Sequence, residues 1–171
     1  LYAGDISALS EVHQAHPEMK IYFTEQWVGS DGEFGGDLLW HGRHVLIGAL
    51  QHWSQVVLEW NLASDPDCCP HTPGGEARCV GALTIGDTLQ RNVAYYVIAH
   101  AAKCVPPGSQ RVASNATTTL PHVAFRTPTG QGVLIVLNDG EDEQRFELQC
   151  HGHHALVTLP PRALATLVWV L

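Results

Sequence analysis

Apolar positions change their spacing near Pro106, and the change divides the chain in two. Over residues 5–16, Ile6, Leu9, Val12 and His13 recur at helical spacing, which predicts a helix ending at Pro17. The hydrophobic run Met19-Lys-Ile-Tyr-Phe-Thr-Glu25 predicts a strand over 20–25, followed by a glycine-rich loop from Gly29 to Gly36. Leu38, Leu39, Val45, Leu46, Ala49 and Leu50 predict a helix over 37–52, and Gln55-Val-Val-Leu-Glu-Trp-Asn61 a second strand. Residues 63–91 read as one long loop, a length uncommon without a role, and Val93, Tyr96, Val97, His100 and Ala101 predict a helix over 92–103. Beyond Pro106 the period becomes two. Strands are predicted near 110–115, 122–127, 132–138, 144–149, 154–159 and 163–170, with hairpin turns at Thr129-Gly130-Gln131-Gly132 and Asn138-Asp139-Gly140.

The first part therefore has a βαβ rhythm, and both of its strands end on the same kind of group: Glu25 with Trp27, and Glu59 with Trp60 and Asn61. Glutamate forms strands poorly, and an unpaired charge in a central strand is costly. A carboxylate at the C-terminal end of a buried parallel strand thus points to chemistry. The competing reading of Glu25 is a strand-end carboxylate paired with an arginine or capping a helix. Trp27 and Trp60 suit sugar stacking or ordinary core packing, and Asn61 suits a hydroxyl contact or a strand end. Two parallel strands cannot close a barrel, which needs eight, and their open edges invite pairing. More chain, a second copy, or a smaller open sheet would have to complete them.

Charge narrows the partners. Asp+Glu number 17 against Lys+Arg 9, a net charge of -8, which argues against nucleic acid or an anionic membrane and leaves a neutral ligand such as a carbohydrate. A composition 45% hydrophobic is that of a folded, core-bearing protein, and there is no apolar run long enough for a membrane span. Five cysteines, Cys68, Cys69, Cys79, Cys104 and Cys150, match no compact disulfide framework and read mostly as free thiols, with a bridge from Cys68 or Cys69 to Cys79 as the other option. Adjacent cysteines fit structural zinc poorly, so no metal site is assigned. His41, His44 and His52 read as exposed or rim residues, and His151, His153 and His154 as a solvated cluster. The opening Leu1-Tyr2-Ala3-Gly4-Asp5 has no initiator Met and no signal-peptide core. The chain thus reads as beginning inside an architecture, and its compartment stays open.

Three stretches together resemble a known family. Ile21-Tyr-Phe-Thr-Glu25, then Val57-Leu-Glu-Trp60-Asn61-Leu-Ala63, then Asn92-Val-Ala-Tyr-Tyr96 through His100, Lys103 and Pro107-Gly-Ser-Gln-Arg111 are similar to glycoside hydrolase family 30, nearest its glucosylceramidase-like branch. The resemblance covers this chain but only the C-terminal portion of the family. It implies a fold of α/β plus all-β class: the last two βα units of a truncated TIM (β/α)8-type barrel over residues 1–105, then an antiparallel β-sandwich side domain over 106–171.

By the same likeness, residues 20–25 correspond to the seventh barrel strand and 55–61 to the eighth, and Glu25 falls where the family places its nucleophile. The resemblance implies a retaining β-glycoside hydrolase acting on β-glucosides or related β-linked sugars, without a cofactor. Trp60, Asn61 and Trp27 would bind substrate. Retention needs two carboxyl groups about 5–5.5 Å apart, and the family's acid/base segment has no counterpart before Glu25. A missing segment, another copy of the chain, or Glu59 as a substitute would supply the acid; a salt bridge within the fold is the other reading of Glu59. The alternative function is a non-catalytic relic that self-associates, as a homo-oligomer, and at most binds carbohydrate.

Overall fold

The computed structural model describes residues 4–115 and 119–171. The chain divides into two compact units, Leu1–Ala99 and His100–Leu171.

In the first unit, helix α1 (Ala8–Ala15) is preceded by a turn in which the Asp5 carboxylate accepts the Ser7 N–H at 2.8 Å. Strand β1 (Ile21–Phe23) is followed by the short strand β2 (Val28–Gly29). Helix α2 (Phe34–Trp40) starts where Glu33 accepts the N–H groups of Gly35 and Gly36 at 2.9 and 2.6 Å, an acidic N-cap that satisfies two otherwise orphaned donors. The helical path continues as a π-helical segment, His41–Gly48, and ends as α3 (Ala49–Gln51). Of the apolar positions expected here it buries Val45, Leu46 and Ala49, leaves Leu38, Leu39 and Leu50 half-buried, and buries Ile47 as well. His41 differs from expectation: it is buried, because it packs inward at the first position of the π-helical segment.

Strand β3 (Ser54–Val57) lies parallel to β1, with Ile21 opposite Ser54 and, after an irregularity, Tyr22 opposite Val56 and Phe23 opposite Val57. The Ser54 hydroxyl fills the gap, accepting the Phe23 N–H at 3.0 Å and donating to the Val56 carbonyl at 2.7 Å. Past the strands the chains stay tied through Leu58 N–H to Phe23 O at 2.9 Å and Trp60 N–H to Gln26 O at 2.6 Å.

The stretch 63–91, expected as a loop, instead holds four short strands. They are β4 (Ala63–Ser64), β5 (Cys79–Val80), β6 (Leu83–Ile85) and β7 (Leu89–Arg91). β5 pairs with β2, while β4, β6 and β7 form a small mixed sheet. Strands of two or three residues leave too little periodicity to read. Gly81 makes this packing possible: a Cβ there would lie 2.6 Å from the Ala63 carbonyl carbon. Buried Asn92 then ties the sheet to helix α4 (Val93–Ala102), donating from Nδ2 to the Gly81 carbonyl and Thr84 Oγ1, both at 2.8 Å.

The second unit is a two-layer antiparallel structure. One layer has the strand order β13 (Ala163–Val170), β10 (Gln131–Asn138), β9 (His122–Arg126), β8 (Gln110–Val112). The other pairs β11 (Gln144–Cys150) with β12 (His153–Leu159). Leu120, Ala124, Leu134, Val136 and Leu159 form the core between them, with Phe146, Leu148, Leu167 and Trp169 packed against it. The turn at Thr127–Gln131 is a hairpin as expected, with Gly130 at φ +79°. Asn138-Asp139-Gly140 is not one: β10 and β11 lie in different sheets, so the segment crosses between layers. His151 lies in the β11–β12 turn at φ +47°, and only His153 and His154 stand on the strand.

Candidate active site

Residue alternation builds the site. Glu25 and Trp27 are two apart and share a side, and Trp27 is bridged in register to Trp60 past the end of the parallel pair. All three line one cavity of about 680 Å³. Its other wall comes from the segment read as a loop, through Cys68, His71, Glu76 and Cys79. Glu25 is exposed, and Trp60 shows 41% of its surface.

The same alternation turns Glu59 and Asn61 away, since each is next to Trp60 along the chain. Neither belongs to the cavity wall. The Glu59 carboxylate, 3% exposed, meets His41 Nδ1 at 2.7 Å through Oε1, while Oε2 has no hydrogen-bond partner among the described residues. Asn61 accepts the Ala82 N–H at its carbonyl and points its side-chain oxygen toward Gly81. Of the five residues singled out from sequence, the structure brings together Glu25, Trp27 and Trp60.

Sequence reasoning missed Glu76 and Arg78. The Arg78 guanidinium lies 5.7 Å from the centre of the Trp27 ring, covering one face. It is held by Glu76 at 2.8 and 3.0 Å and by Asp31 at 3.1 Å. The hydrogen bond from Arg78 keeps the Glu76 carboxyl below the usual carboxylate range, so this cavity carboxylate stays ionised rather than offering a proton. Burial, followed by the charges of Glu76, Cys68 and Glu25, pushes the Cys79 thiol up. No group of three or more metal-ligating side chains occurs among the described residues. The signal for Glu76 and Arg78 was only their place in a long segment after a strand end.

Residues 108–167 match the glycosyl hydrolase family 30 beta sandwich domain. The chain matches the C-terminal portion of glycoside hydrolase family 30. It is 32% identical over 145 residues to the endo-1,6-beta-D-glucanase neg1 of Aspergillus fumigatus, covering 78% of this chain and 28% of that protein. It is 26% identical over 175 residues to the lysosomal acid glucosylceramidase of Mus musculus, covering 95% of this chain and 34% of that protein. Among solved structures, the endo-beta1,6-glucanase BT3312 superposes with a TM-score of 0.92 at 29% identity, over 99% of this chain and 39% of that one. The chain thus spans about a third of the length of its curated relatives. These family 30 relatives are glycoside hydrolases, and the second unit is the family's β-sandwich, built mostly of sheet.

Proposed function

We propose that this chain forms part of a retaining β-glycoside hydrolase acting on β-linked glucose, with Glu25 as nucleophile. The observation that carries the reading is the convergence of Glu25, Trp27 and Trp60 on one cavity at the ends of two parallel strands. In this reading β1 and β3 are the seventh- and eighth-strand-like elements of a TIM-type barrel, and residues 106–171 its side domain. Glu25 attacks the anomeric carbon to give a glycosyl-enzyme, while a second carboxyl protonates the leaving oxygen and then activates water. Trp60 and Trp27 stack against sugar rings.

The second carboxyl is assigned to a segment outside this cavity wall, in a longer protein or in a second copy. Glu59 is committed to His41, and Glu76 is committed to Arg78. Because relatives are named as endo-1,6-β-glucanases, a β-1,6-glucan is the first substrate to test, beside an aryl β-glucoside. A 2-deoxy-2-fluoro-β-glucoside with an activated leaving group should add one glycosyl mass to the peptide bearing Glu25, and Glu25→Gln should abolish both labelling and turnover. Labelling of a different carboxylate would sink the assignment.

A second reading, a self-associating chain that only binds carbohydrate, is favoured by the exposed apolar side chains Tyr22, Val56, Leu58 and Leu62 on and beside the parallel pair. It predicts sugar affinity that survives Glu25→Gln with no turnover in the parent.

A further inference from the structure

Two thiols face the same cavity as Glu25, and each is held there by backbone geometry. Cys68 sits at φ +61°, in the left-handed region that non-glycine residues rarely occupy. Asp65 keeps it there. The Asp65 carbonyl accepts the Cys68 N–H at 3.1 Å, its carboxylate accepts the N–H groups of Asp67 and Cys69 at 2.9 and 2.8 Å, and its own N–H bonds to the Cys69 carbonyl. Cys79 stands on β5, in register with Gly29 of β2, and the adjacent Ser30 N–H to Arg78 carbonyl bond fixes that pairing. Cys68 and Cys79 both line the cavity, whereas Cys69 does not, and all three are free thiols. Adjacent in sequence, Cys68 and Cys69 are separated in role by the turn.

We propose that Cys68 and Cys79 form a paired thiol modification site in the cavity wall, oxidised by small neutral disulfides. The Cys68 thiolate attacks one sulfur of the reagent RSSR, forming a mixed disulfide and releasing RS⁻, which takes up the proton. The Cys79 thiolate then attacks the Cys68 sulfur, closing the Cys68–Cys79 bond and releasing the second RS⁻. Overall, two protein thiols and RSSR give one protein disulfide and two RSH. The anionic surroundings of Glu25 and Glu76 favour a neutral reagent over an anionic one. Because the Cys79 proton is held tightly, the second step is the slower one near neutral pH and speeds up as pH rises. The mixed disulfide leaves a substituent beside Glu25, and the closed bond ties the turn to β5. The chemistry does not depend on the glycosidase reading; only its effect on sugar binding does.

The test is incubation of the chain with bis(2-hydroxyethyl) disulfide near neutral pH and at pH about 9, followed by non-reducing digestion and mass spectrometry. The expected product at the higher pH joins the Cys68 and Cys79 peptides with the loss of two hydrogens. Near neutral pH the adduct on Cys68 should dominate. Cys79→Ser should stop at that adduct at both pH values, and Cys69→Ser should cross-link like the parent. A cross-link through Cys69, its loss in Cys69→Ser, or a Cys68 adduct that never closes at the higher pH would each overturn the proposal. These readouts stand whether or not the chain turns over a sugar, so failure of the thiol chemistry is separable from failure of the enzymatic reading.

Discussion

His41 Nδ1 and Glu59 Oε1 meet at 2.7 Å with both side chains almost wholly buried. Removing one partner would strand the other's polar atoms in the interior, which typically costs about 3–5 kcal/mol. His41→Ala should therefore lower the urea midpoint of unfolding by a corresponding amount, while Glu59→Gln, which keeps a hydrogen-bonding group in place, should cost less than half as much. A loss below about 1 kcal/mol for His41→Ala would show that water already satisfies Glu59. The sequence displayed both residues but not their meeting. A strand-end carboxylate reads the same whether it faces a ligand or a helix, and only the direction of Trp60 fixes which side Glu59 takes. At Glu25 the sequence marked a hydrophobic run, Ile21-Tyr22-Phe23, followed by a charge and by Trp27, and its place on the cavity wall was no more legible than that of Glu59.

Among the elements, the crossovers between the two layers of the second unit depend on Asn138, which is 1% exposed. Its Nδ2 donates to the carbonyls of Asp142 and Pro160, each at 2.8 Å, and its Oδ1 accepts the Gly140 N–H at 3.1 Å. One side chain thereby fastens the segment leaving β10 and the segment entering β13. Losing the two donated bonds at about 1–1.5 kcal/mol each, with the weaker accepted one besides, predicts a cost of about 3 kcal/mol for Asn138→Ala, a fall in melting temperature on the order of 10 °C for a domain of this size. Asn138→Asp, which keeps the acceptor and loses the donors, should fall as far; a parental melting temperature would remove Nδ2 from the argument. The strands here were legible because six runs at period two are hard to mistake. Their pairing was not, since Asn-Asp-Gly has the same local chemistry in a hairpin and in a crossover. Gly132 was equally silent: a Cβ there would run into the Trp169 indole, a requirement set by a residue 37 positions away.

For the molecule as a whole, acid should act in two windows, and His100 sets the first. Its Nδ1 lies 2.8 Å from Thr166 Oγ1, and burial lowers its pKa from the ordinary 6.5. The unfolded chain then binds this proton at a higher pH than the folded chain does. Its contribution is complete above the ordinary histidine range and is lost as pH falls below about 6.5 toward the lowered folded value. The second window belongs to Asp5, Glu76 and Glu147, whose carboxyls are lowered chiefly by hydrogen bonds from Ser7, Arg78 and Gln149 respectively. Their contribution is present above the ordinary carboxylate range and is lost as pH falls through their lowered values; all three are solvent-facing, so screening keeps it small. Unfolding midpoints measured from about pH 7 to 5 should therefore fall with acidity in the parent and fall less steeply in His100→Asn, which cannot titrate there. The two curves should run parallel again in the carboxylate window. Equal slopes between about pH 7 and 5 would move the first window to other histidines of the chain and leave the His100–Thr166 contact as a hydrogen bond with no part in acid sensitivity.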